Sequence, residues 1–158
     1  GYAPCQRLER YMESTERVVG ITFSTFDLLH AGHIAMLREA KTKCDHLICG
    51  LQVNPSIDRK DKKAPVQSLV ERWTQLQGVS YVDEIIPYEN EKDVEDILQL
   101  FEIHVRIIGE EYKHTTFTGR KICAKRGIEI RYNKRDHRFS SSVLRKDIAE
   151  RENEKSKN

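Results

Sequence analysis

Residues 20–37 read GITFSTFDLLHAGHIAML. The stretch begins apolar and β-prone, and with Val18 and Val19 it makes a run too continuous for a strand wetted on one face. Ser24 to Asp27 form a bend. From His30 onward Ile34, Leu37 and Ala40 recur at helical spacing, and Lys41 and Lys43 stand where a helix would end. This is a buried strand handing over to a helix, with two histidines at the handover. At i and i+3, both imidazoles lean the same way. Gly32 between them carries no side chain to block a ligand from the backbone. The first-turn N–H groups of a helix attract phosphate, and two imidazoles beside them can stabilise charge that grows as a polyphosphate is cleaved. A surface pair, or a metal site completed by Asp27, satisfies the same spacing, although it matches no standard zinc pattern.

Outward from this stretch the period keeps alternating. Strands are expected at 46–53, within 79–87, at 105–109 and at 128–132. Helices are expected at 68–77, 94–101 and 120–126, with a last one starting near Ser141. NPSIDRKDKKAP (54–65) reads as a polar, lysine-rich loop, residues 1–17 as an extension that is helical or loose, and ERENEKSKN (150–158) as a charged tail that frays. The βαβ spacing predicts one α/β domain over residues 18–150, a mostly parallel five-stranded sheet covered by helices on both faces. Ligands of such folds lie at the carboxyl ends of the strands. The segments there are Ser24–His33, Gln52–Lys63, Glu110–Lys113 and Asn133–Ser142.

Composition narrows the function class. The 158 residues carry 27 basic and 25 acidic side chains, a formal charge of +2. Such balance does not favour a nucleic-acid binder, whose affinity needs many phosphate contacts. It leaves room for a small anionic ligand. No apolar run is long enough to span a membrane, and the first residues do not read as a signal peptide. The four cysteines show no CxxC or zinc spacing. Cys44 and Cys49 border a strand and are expected to be reduced and buried, which points to the cytoplasm.

Several motifs carry a resemblance. TFDLLHAGH resembles the HxGH signature of the nucleotidyltransferase superfamily, in the GTFDxxHxGH form of the cytidylyltransferases, with Ser24 in place of the glycine. AKTKCDHLICGL resembles the helix and strand that follow. KKAPVQSLVERW resembles the family's lysine loop and its ER helix, and VSYVDEIIPY its YVDEVIP strand. IIGEEY resembles the GDDW-like segment. RDHRFSSSVLRKDI stands where RTEGISTTxI is expected. The match runs unbroken over about residues 18–150 and is nearest in pattern to bacterial glycerol-3-phosphate cytidylyltransferases.

The resemblance implies a Rossmann-like nucleotidyltransferase fold and transfer of a cytidylyl group from CTP to a small phosphorylated alcohol such as glycerol 3-phosphate. It implies Mg²⁺ on the phosphates, a homodimer, and no nucleic-acid partner. His30 and His33 would bind the triphosphate and assist attack on the α-phosphorus. Lys63 would meet phosphate. Arg72 would brace the site from the ER helix, its planar fork able to hold two phosphate oxygens, and Arg135 would act from the last motif. Thr25, Phe26, Asp27 and Gly32 would form one part of the nucleotide site. Glu110, one methylene longer than the family's aspartate, and Ser140, Ser141 and Ser142 would form the other. Ser141 or Ser142 can cap the last helix. Asp136–Phe139 replace the family's Thr-Glu-Gly-Ile, which bears on base and acceptor recognition. Ser142 also resembles the ISS ending of adenylyl-transferring relatives, so ATP with a sugar phosphate, phosphopantetheine or FMN is the alternative.

Overall fold

A computed structural model describes residues 17–134 and 141–157. The strands are β1 (Val19–Ser24), β2 (His46–Gln52), β3 (Glu84–Tyr88), β4 (Val105–Gly109) and β5 (Glu129–Asn133). They pair in the order β3-β2-β1-β4-β5. Every pairing is parallel. The helices are α1 (Ala31–Lys41), α2 (Pro55–Asp58), α3 (Leu69–Gln77), α4 (Glu91–Leu100), α5 (Arg120–Arg126) and α6 (Ser141–Lys157), with a 3₁₀ turn at Glu110–Tyr112. The sequence-based expectation of a five-stranded α/β fold is met.

Two cores explain why the strands read as continuous apolar runs. Leu47, Cys49 and Leu51 of β2 point to one face and pack with Leu37 and Ala40 of α1 and Leu76 of α3. Ile48 points to the other and packs with Val94, Ile97 and Leu98 of α4 and Cys123 of α5. A strand buried on both faces has no polar side to alternate with. Cys49 and Cys123 are buried and Cys44 half-buried, all three with free thiols. Cys5 lies outside the described residues.

Boundaries differ from expectation where capping, not hydrophobicity, sets them. Asn90 caps α4 by accepting from the Asp93 N–H at 2.9 Å, while the Asp93 carboxylate reaches back to the Asn90 N–H at 3.4 Å. The helix therefore starts at Glu91, three residues before its first buried residue, Val94. Asn54 caps the short α2 inside the supposed loop. The charged tail belongs to α6, which continues to Lys157, with Lys146 and Glu150 paired at i, i+4 (3.9 Å). β1 has β2 on one side and β4 on the other, so strand order reverses beside it and a crevice opens at its carboxyl end.

Candidate active site

The bend after β1 is held in a costly shape. Phe26 (φ 50°) and Leu28 (φ 51°) are left-handed without being glycine, which costs on the order of 1 kcal/mol or more each. Phe26 is buried in the core beneath α1. The buried Asp27 accepts from the N–H groups of Val66 (2.8 Å) and Gln67 (3.0 Å) and from the Arg145 guanidinium. The Leu28 N–H donates to Gln67 Oε1 at 2.9 Å. Burial pushes the Asp27 carboxyl up, but those two backbone donors and Arg145 outweigh it and the pKa falls below the usual value.

This bend aims the histidine pair. His30 is the N-cap of α1, and its Nδ1 accepts from the Gly32 N–H at 3.0 Å. The His30 N–H in turn donates to His33 Nδ1 at 3.2 Å. The two rings lie 4.1 Å apart between centroids. Both Nδ1 atoms are acceptors, so in the neutral rings the proton sits on Nε2. Burial lowers the His30 pKa, which favours that neutral form. His30, Gly32 and His33 all line the crevice.

Arg72 sits elsewhere than expected. It is 2% exposed. Its Nε donates to Gln67 O (3.2 Å), Nη1 to Thr25 O (3.0 Å) and Gln52 O (2.6 Å), and Nη2 to Val53 O (2.6 Å). The fork that was to hold phosphate holds backbone carbonyls instead, and Arg72 is absent from the crevice wall. It ties the ends of β1 and β2 to the start of α3. Trp73 is half-buried against the core below α1 and α3.

The remaining expected residues divide. Thr25, Phe26, Asp27 and Lys63 line the crevice, and Lys62 and Arg59 join them. Glu110 does not; its neighbour Glu111, on the same 3₁₀ turn, does. Arg135 and Ser140 lie outside the described residues. Ser141 and Ser142 open α6 as expected; their side chains lie outside the described ones. Sequence reading missed Arg145, which lines the crevice and pairs with Asp27. A cation one turn into the last helix, after the serine run, was its signal. The crevice measures about 2540 Å³, above the roughly 300–1,000 Å³ of a single small-ligand pocket, and so has room for two substrates.

Among the described residues, no group of three or more His, Cys, Asp or Glu side chains is placed to hold a metal ion. Asp27 already accepts from three donors. No described helix is long and apolar enough to cross a membrane.

A model of the cytidylyltransferase-like family matches residues 21–147, from β1 into α6. The chain belongs to that family. It is 35% identical over 130 residues to the glycerol-3-phosphate cytidylyltransferase of Bacillus spizizenii, spanning 82% of this chain and 95% of that one. It is 34% identical over 113 residues to the bifunctional protein HldE of Caulobacter sp. strain K31, across 71% of this chain but only 23% of that protein's length. The near-equal identities place the chain at the level of the family and distinguish no single nearest member. A lipopolysaccharide core biosynthesis protein from Thermoplasma volcanium shares the fold, with a TM-score of 0.59 at 21% identity over 76% of this chain and 97% of that one.

Proposed function

We propose that this member of the cytidylyltransferase-like family transfers the cytidylyl group of Mg²⁺-bound CTP to a small phosphorylated alcohol such as glycerol 3-phosphate. The products are a CDP-alcohol and pyrophosphate. The observation that carries this is the histidine pair: two imidazoles capping a helix N-terminus, tautomers fixed with Nε2–H as the donor, in the wall of a two-substrate crevice. Similarity to a glycerol-3-phosphate cytidylyltransferase along 95% of that protein supports the nucleotide and the acceptor class.

An acceptor phosphate oxygen attacks the α-phosphorus, a new P–O bond forms, and the bond to pyrophosphate breaks. The acceptor is already ionised near neutral pH, so no side chain has to deprotonate it. The protein positions and neutralises. His30 and His33 donate to phosphate oxygens as charge builds. Arg145, anchored by Asp27, and Lys63, on its exposed loop, supply positive charge, and the first-turn N–H groups of α1 and α6 complement it. Arg135 and Ser140–Ser142 belong to the same proposed nucleotide site. A homodimer through the α3 side is part of the reading, supported by the exposed Val66 and Val70 there. The serine run favours ATP as the second reading.

Pyrophosphate release from CTP and from ATP, each against a panel of phosphorylated alcohols and sugars, tests the assignment. Release with CTP and a polyol phosphate is expected. Release with ATP alone would replace the first reading by the second.

A further inference from the structure

The crevice has a charged wall that this reaction does not use. Arg106 on β4 is 6% exposed and lines the crevice. Its neighbours Val105 and Ile107 face the core under α1 and α3, so Arg106 points to the opposite face of the sheet, away from α1 and its histidine pair. Its Cζ lies 5.1 Å from the Phe23 ring and 5.0 Å from the Phe117 ring. Nη1 donates to Thr118 O and the guanidinium lies against the Cys123 sulfur, while Nε is buried with no hydrogen-bond partner. Gly119 (φ +85°) closes the loop over it: a Cβ there would lie 3.1 Å from Nη1. Among the described residues no carboxylate is within ion-pairing distance of Arg106. Glu91, whose field reaches it, pairs with Arg59 at 3.8 Å.

Bracing two rings, a carbonyl and a thiol does not require a full charge. A buried cation without a counter-charge is costly, and burial here disfavours its charged form. A ligand in the crevice can supply the anion that no described residue brings within ion-pairing distance. The triphosphate belongs at the α1 end, on the other face of the sheet, which leaves the second substrate. We propose that Arg106 recognises a carboxylate on the acceptor, remote from the reacting phosphate, so that the preferred acceptors are phosphorylated hydroxy acids. The planar fork of guanidinium matches a carboxylate's two oxygens, and Arg120, whose Cζ lies 5.4 Å from the Phe117 ring, adds a second cation on the crevice wall. This inference rests on the cytidylyl-transfer reading and narrows its acceptor.

The test is calorimetric binding of two matched pairs that differ only in a terminal CH₂OH or COO⁻: glycerol 3-phosphate against 3-phosphoglycerate, and glucitol 6-phosphate against 6-phosphogluconate. The carboxylate member of at least one pair should bind the wild-type protein about ten-fold tighter, a charge-assisted contact. Arg106→Leu should erase that preference, and Arg106→Lys should retain part of it. Equal or weaker binding of both carboxylates to the wild type, or a preference that survives in folded Arg106→Leu, overturns the proposal. The wild-type comparison decides even if the leucine variant fails to fold. Preferential carboxylate binding without pyrophosphate release from any nucleotide would overturn the transfer reading and leave the carboxylate site standing.

Discussion

His30 does two jobs with two nitrogens. Nδ1 caps α1, and Nε2–H is left as the donor toward phosphate. Protonation at Nδ1 would break the bond from the Gly32 N–H. Burial lowers the folded pKa below the usual value of 6.5, so the stability His30 contributes is present above that value and is lost as pH falls through the folded one. Urea unfolding followed from pH 7.5 to 5.0 should show a falling midpoint that flattens in His30→Asn, which caps without titrating. Asp27 carries the same sign at lower pH: its stability is present above the unfolded value near 4 and is lost below it as the folded carboxyl protonates. Asp27→Ala leaves two backbone N–H groups and Arg145 without their acceptor and should cost about 2–3 kcal/mol, read as a lower urea midpoint at pH 7. The histidines were legible because their spacing and the helix start lie within a few residues. Asp27's structural role was not, since its partners stand 39, 40 and 118 positions away.

At the scale of elements, one arginine decides how α3 meets the sheet. Arg72 joins carbonyls at the end of β1, on both sides of the β2 exit and ahead of α3. Lysine has no fork with which to reach all four. Arg72→Lys should lower stability by about 3 kcal/mol, by analogy with breaking a buried polar cluster, while the KM for nucleotide in the folded variant stays within a few-fold. A fork that held phosphate would instead raise KM steeply with little loss of stability, so melting and kinetics on one variant separate the two roles. The position of α3 was legible from Ser68 and Glu71, whose capping box is local in sequence. The direction of Arg72 was not, because an Arg beside Glu71 on a nine-residue helix reads as a surface side chain until β2 is laid against it. The same limit hid the full length of α6: its apolar pattern ends near Ala149, while ion pairing such as Lys146–Glu150 accompanies a helix that reaches Lys157.

Across the whole molecule, chain order and function are linked by the crevice at the end of β1. Strand alternation and apolar runs were enough to read a parallel α/β sheet, and the rule about carboxyl ends was enough to name the segments around the site. The pairing order and the return of α6 through Arg145 to Asp27 are long-range facts that periodicity does not encode. They matter because the nucleotide is expected to bridge α1 and α6. Mg²⁺-CTP at a hundred times its Kd should therefore raise stability by about 2.7 kcal/mol, seen as a higher Tm, and Arg145→Ala should reduce that rise at the same nucleotide concentration. The most direct test of the central claim is the rate of pyrophosphate release from Mg²⁺-CTP and acceptor, compared between the wild-type protein and His33→Ala with unchanged circular dichroism. A fall of roughly 10²–10³-fold is predicted, the loss expected for one preorganised donor to a developing charge. A near-wild-type rate in His33→Ala would contradict it.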